Sequence, residues 1–307
     1  MTNELKEVIS KIDKAFVDYF SDDSSIKTIF VAGSMAHDDY IDRQDNDYDI
    51  RAISNYVTRE QIIKFEKFLE NLSNELTTDE IAVGYSCLVG PVNHKVATDK
   101  KNVLIHAMIH QSDQMDDFLP VTHKYQYGTR YRIVYGEDSL KRFQDVRFGL
   151  DDVLDAHEGL RYCIDMLKKR EYRYLTWDVT NKDCQFNFHV DNMPMNTIIE
   201  NCCYSFNKFL SNLRNYCNWN DYDIPSGNMS FALKLLGKDN CSINRLNLLY
   251  GLLNKNDKYL ENIFNDPCKN TIELLEICEN RVLDLDIIFT KLYNKENNSN
   301  IKVLSKK

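Results

Sequence analysis

No stretch of this chain stays apolar for the length needed to cross a bilayer, which argues against a helical membrane protein. Met1-Thr2-Asn3-Glu4-Leu5-Lys6 lacks the basic start and apolar core of a signal peptide, so a cytoplasmic protein with no membrane partner is expected. No Cys-x-x-Cys pair occurs among the nine cysteines, and the adjacent Cys202-Cys203 fits no zinc spacing. Buried free thiols in a reducing compartment follow. An excess of basic residues is missing as well: 38 Lys and Arg face 47 Asp and Glu, a net charge of -9. A protein that grips a long nucleic acid normally offers a counterion-displacing basic face. This balance points away from a nucleic-acid partner and toward a small or cationic one.

What remains is an ordinary globular composition, 43% apolar and 28% charged, over 307 residues, enough for two domains with cores of their own. The chain is organised around the stretch from Ile29 to Ile53. Ile29-Phe30-Val31-Ala32 reads as a short strand, Gly33-Ser34 as a turn opening a brief helical segment, and Asp47-Tyr48-Asp49-Ile50 as a second strand. Strand side chains alternate faces, so Asp47 and Asp49 project together while Tyr48 and Ile50 project to the other side. Neighbouring carboxylates repel unless a cation lies between them, and such hard oxygen ligands suit Mg2+. Gly33 permits close backbone approach, and amide groups from Ser34 onward would face an anion. A cation site beside a phosphate cradle is what a magnesium-bound nucleoside triphosphate requires.

Gly33-Ser34, twelve intervening residues and Asp47-Tyr48-Asp49-Ile50 together resemble the signature of the DNA polymerase beta-like nucleotidyltransferase superfamily. The similarity reaches loosely to about residue 145, where Arg132-Ile133-Val134-Tyr135-Gly136-Glu137-Asp138 is similar to a segment that often closes such domains. The resemblance implies an α+β fold in which a mixed sheet flanked by helices is followed by an α-helical bundle. It implies two Mg2+ ions as cofactor, bridging the triphosphate and held by Asp47 and Asp49 as metal ligands and catalytic residues, with Gly33 and Ser34 binding the nucleotide. A lysine from the helical domain often reaches the triphosphate in such families, which makes Lys168, beside Lys169, a candidate for nucleotide binding. The basic end of a helix complementing its dipole explains the same pair.

One departure stands out. The family usually places a third acid on a later strand facing the aspartates. Here neither Ile81 to Val89 nor Asn102 to His110 contains Asp or Glu, and His106 or Met108 fills the position. Imidazole titrates near neutrality, so His106 is a candidate catalytic base, and a half-buried, hydrogen-bonded histidine is the structural alternative. Asp113, Asp116 and Asp117 could supply a carboxylate from the following loop.

Around this stretch, Leu5 to Phe20 spells an amphipathic helix, and Thr58-Arg59-Glu60-Gln61 a capping box that opens another. The runs 81–89 and 102–110 read as strands, with antiparallel pairing expected because the polar linker cannot house a crossover helix. Lys124 to Tyr135 alternates basic and aromatic residues, as an edge strand does; Lys124, Arg130 and Arg132 could meet phosphates, and Tyr127 or Tyr131 a base. From about Asp151 helical spacing takes over, with no regular repeat, and the aromatics near Tyr172, Tyr174 and Trp177 fit either a cleft wall or core. The expected organisation is a domain over 1–148, a helical domain over 149–296 and a flexible tail over 297–307.

The leading expectation is a Mg-dependent nucleotidyltransferase that moves an NMP, with AMP from ATP the expected donor group, to an acceptor hydroxyl and releases pyrophosphate. The family likeness to antibiotic-adenylylating enzymes implies a small-molecule acceptor. Two alternatives stay open: the same chemistry on tRNA or a protein side chain, and a non-catalytic nucleotide-binding regulator.

Overall fold

The computed structural model describes residues 2–37, 40, 42–92, 96–115, 121–144, 146, 150–219, 227–237, 241–263 and 265–281. Asp116, Asp117, the end of the last expected helix and the tail from 297 lie outside these residues. The chain divides into two compact units, one of Met1–Val146 with Tyr174–His189, the other of Arg147–Arg173 with Val190–Lys307. A later segment, Tyr174–His189, thus belongs to the first unit.

The first unit opens with α1 (Asn3–Phe20), capped by the Thr2 side chain, which accepts from the Leu5 amide. Then come β1 (Ile26–Ala32), a single 3-10 turn at Gly33–Ala36, β2 (Asp45–Ser54) and α2 (Arg59–Leu76). α2 carries the full capping box at Thr58 and Gln61. β3 (Ile81–Ser86), β4 (Lys101–Gln111), α3 (Val121–Thr129) and β5 (Tyr131–Gly136) follow. The strands form one mixed sheet in the order β3-β4-β2-β1-β5. β1 runs antiparallel to β2 and β5, whereas β2 and β4 are parallel.

β3 and β4 are also parallel, which corrects the expected antiparallel pair. Residues 87–100 are long enough to carry the chain back along the strand without a helix, since a parallel return needs about a dozen residues. β5 is the expected edge strand. The alternating segment before it is helical instead, because α3 packs on the 3-10 turn at Lys141–Phe143: a Cβ on Gly128 would meet the Phe143 carbonyl oxygen at 2.3 Å.

Two cores sandwich the sheet. On one face Phe16, Phe20, Phe65 and Leu69 of α1 and α2 cover Ile29, Val31, Tyr48, Ile50, Ile105 and Ala107. Burying each large apolar side chain contributes about 1.5–3 kcal/mol. On the other face Phe30, Ala32 and Ile53 pack with Met115, Tyr127 and Phe143. Tyr127 is buried, with its ring edge-on to Phe30, which rules out stacking on a base.

A hairpin of β6 (Glu171–Val179) and β7 (Cys184–Asn192) interrupts the helical half and was not legible as strands. Its first-unit part is tied down by a Val89–Leu175 bridge, by the Trp177 indole donating to the Ile109 carbonyl at 3.0 Å, and by Arg59 donating to the Thr180 carbonyl at 2.6 Å. These contacts make Trp177 structural.

The second unit is α-helical, as expected: α4 (Leu150–Lys169), α5 (Ile198–Trp219), α6 (Asn228–Leu236), α7 (Ile243–Asn254), α8 (Asp257–Ile263) and a helix over 267–281. Leu160, Leu167, Phe206, Leu210, Leu249 and Leu275 are among its buried residues. Among the described residues eight cysteines are free thiols and no helix is long and apolar enough to cross a membrane.

Candidate active site

β2 reads as predicted. Asn46, Tyr48 and Ile50 are buried while Asp45, Asp47 and Asp49 are half-buried, a strict alternation. On the core side the Tyr48 hydroxyl meets Asp13 at 2.5 Å and accepts from Arg132 at 2.8 Å, and Arg132 also pairs with Asp13 at 2.9 Å. Burial, then the Asp13 charge, pushes the Tyr48 phenol well above its ordinary range. Arg132, one of the expected phosphate-facing cations, is thereby committed to holding β5 against α1.

On the opposite face the parallel register sets Asp49 beside His106. The Asp47 and Asp49 carboxylates and the His106 ring offer one donor atom each within 4.8 Å of one another, a group that could hold a metal ion. His106 Nδ1 stands 2.9 Å from Asp49 Oδ1 and 3.8 Å from Asp47 Oδ1. Adjacent ligands on an octahedral ion with bonds near 2.1 Å are about 3 Å apart, so the spacing fits one hard divalent cation.

The tautomer of His106 follows from its other nitrogen. Nε2 lies 2.5 Å from the Leu88 carbonyl oxygen, which can only accept, so Nε2 carries the proton and Nδ1 is turned toward the carboxylates. This is the usual posture of a metal-binding histidine, whose second nitrogen is fixed by a carbonyl.

Arg51 completes the cluster and was not singled out in the sequence, although it continues the Asp47, Asp49 alternation on the same face. Its Nη2 lies 2.9 Å from Asp49 Oδ1 and 3.2 Å from His106 Nδ1. Its Nη1 donates to the main-chain carbonyls of Ile50, at 3.1 Å, and of His106. Burial disfavours the guanidinium charge, but Asp49, Tyr127 and Asp47 outweigh it and hold its pKa above the usual value. Four residues beyond His106 on β4, buried His110 is pushed down to about 3 by burial, then by the Arg51, His123 and His106 charges.

The 3-10 turn at Gly33–Ala36 packs against β2, so Gly33 and Ser34 belong to the same end of the sheet as the aspartates. Gly33 has φ +76°, a left-handed conformation that favours glycine, and its amide donates to the Arg130 carbonyl at 3.2 Å. Ser34 is exposed. Lys168 belongs to the second unit, where its ammonium pairs with Glu276 at 2.5 Å. Asp113 accepts from the Gln111 side chain and the Gln114 amide, a local role at the end of β4.

No protein-family model matches the chain, and no curated protein does. Among solved structures, the chain is similar to a spectinomycin adenyltransferase, AAD(9) from Enterococcus faecialis, whose crystal structure holds ATP and spectinomycin. The two are 11% identical, with a TM-score of 0.49, over 90% of this chain and 98% of that one.

Proposed function

We propose that the chain is a metal-dependent nucleotidyltransferase that moves an NMP from an NTP, with ATP the preferred donor and AMP the group moved, to a hydroxyl of a small molecule. The observation that carries this reading is the donor set of Asp47, Asp49 and His106 on adjacent strands next to the Gly33-Ser34 turn. A Mg2+ or similar ion held there would offset charge on the phosphates and on the attacking and leaving oxygens. The acceptor oxygen attacks the α-phosphorus, the bond to the β-phosphate oxygen breaks, and pyrophosphate leaves with that electron pair while the hydroxyl proton passes to solvent or a base.

The chain's own residues have distinct parts in this. Asp47 and Asp49 bind the ion, and His106, with Nε2 engaged by Leu88, serves as third ligand in preference to general base. Gly33 and Ser34 line the phosphate side, where a β-branched or bulky residue at φ +76° would be strained. Lys168, whose ammonium is paired with Glu276, is a secondary candidate for nucleotide binding. The net charge of -9 suits a cationic acceptor such as an aminoglycoside better than tRNA. The free thiols suit a reducing cytoplasm.

The test uses ATP labelled at the α- or the γ-phosphate, Mg2+, and a panel of aminoglycosides. Label should reach an acceptor from α-labelled ATP alone, with stoichiometric pyrophosphate. Nucleotide binding without pyrophosphate release for any acceptor, RNA and protein included, would replace this reading by a nucleotide-binding regulator.

A further inference from the structure

Arg51 is an unusual neighbour for a metal site. It is 4% exposed and its guanidinium reaches two of the three donor residues that a divalent ion would use. It is also clamped. Nη1 is bonded to carbonyls on two adjacent strands, Ile50 on β2 and His106 on β4, so the charge cannot swing away without breaking main-chain contacts. Nε has no hydrogen-bond partner among the described residues, a cost accepted for this placement.

We propose that Arg51 is a fixed internal cation that takes the place of a second divalent ion, so that the protein alone binds one ion rather than two. The inference rests on the metal-dependent reading above and goes beyond it in the number of ions. The two carboxylates and the guanidinium together carry one net negative charge. One divalent ion already overcompensates that charge, and a second would face both the first ion and the guanidinium in a poorly solvated site. Asp49 is thus shared between a protein cation and the incoming ion.

The test is Mn2+ titration without nucleotide, followed by calorimetry and by the loss of the free-ion paramagnetic signal. The wild-type chain should bind one Mn2+. Arg51→Met, which keeps most of the volume and removes the charge, should bind Mn2+ at least tenfold more tightly and accept a second ion. Arg51→Lys, which keeps the charge, should remain at one ion, and it carries the test if the Met variant fails to fold. Two ions on the wild type, a second ion on Arg51→Lys, or an Arg51→Met variant with unchanged affinity and count would overturn the proposal and leave the nucleotidyltransferase reading standing. A wild type that binds no Mn2+ with or without ATP would remove both.

Discussion

Asp49 and His106 occupy the same register position on neighbouring parallel strands, and Oδ1 of the one ends 2.9 Å from Nδ1 of the other. Two acceptor atoms do not settle at that distance unless a positive charge or a proton lies with them. Arg51 Nη2 meets both atoms here. The pair is therefore already arranged around positive charge, which is why the two aspartates are not equivalent.

Neutralising each aspartate separates these roles. Asp49→Asn leaves the buried Arg51 without its ion-pair partner, whereas Asp47→Asn removes one of two crowded carboxylates. Breaking a fully buried pair costs about 3–5 kcal/mol. Asp49 retains 24% side-chain exposure, and Asn keeps an acceptor oxygen, so a loss of about 1–2 kcal/mol is expected. Asp47→Asn, which leaves the Arg51–Asp49 ion pair in place, should cost less than Asp49→Asn. Urea unfolding measures both, and equal losses would contradict the asymmetry. Either substitution should abolish Mn2+ binding and reduce nucleotidyl transfer by orders of magnitude.

The first half of this site was readable from the chain because strand periodicity is local. Asp47 and Asp49 against Tyr48 and Ile50 needs only alternate faces, and the capping box at Thr58 needs only helix-start chemistry. The other half depends on strand pairing. His106 meets Asp49 because β4 lies parallel to β2, and the Leu88 carbonyl that orients it comes from the connection after β3. No local pattern encodes that register. Arg51 was within reach, two residues beyond Asp49 on the same face, but a lone arginine after a strand acid ordinarily points to solvent. In the hairpin over 171–192 only β7 carries a clean alternation, Cys184, Phe186, Phe188 and Val190 against Gln185, Asn187, His189 and Asp191, while β6 mixes apolar and polar residues on both faces, which blurs the period-2 signal.

Gly136 tests the edge of the sheet. It closes β5 at φ +80°, and an added Cβ would lie 2.0 Å from the Lys27 carbonyl oxygen. That atom belongs to the main chain, so it cannot rotate aside. Gly136→Ala should destabilise the first unit by more than about 2 kcal/mol, combining left-handed strain with the displaced β1–β5 pairing. Thermal unfolding followed by circular dichroism reads the loss, and a melting temperature within a degree of wild type would show that β5 moves freely.

His110 should give the chain an acid-sensitive limb. Its folded pKa of about 3 lies below the ordinary histidine value of 6.5, through burial first and then the Arg51, His123 and His106 charges. The unfolded chain therefore takes up this proton first as pH falls. The stability is present above pH 6.5 and is lost on the way down toward pH 3, by up to about 1.4 kcal/mol per pH unit. Its Nε2 has no hydrogen-bond partner among the described residues, so His110→Leu removes the titration at little structural cost. The difference in unfolding free energy between the two proteins should change with slope between pH 6 and 4. Parallel curves would mean that the site hydrates on protonation.

Replacing the expected third acid by His106 should also change which ion the site prefers. An imidazole nitrogen adds little affinity for Mg2+, which favours oxygen donors and strict octahedral geometry, but more for Mn2+ and the later first-row ions. Leu88 keeps Nδ1 available by holding the proton on Nε2, so the preference is built into the backbone as well as the side chain. Wild-type protein should therefore bind Mn2+ about tenfold or more tightly than Mg2+ in the absence of nucleotide. His106→Asp restores an all-oxygen donor set beside Arg51 and should narrow that ratio to a fewfold, chiefly by weakening Mn2+ binding. Competition calorimetry with both ions measures the ratio directly, with far-ultraviolet circular dichroism confirming that the variant is folded. A ratio that does not move would place His106 outside the coordination sphere and return it to the role of a hydrogen-bonded strand residue.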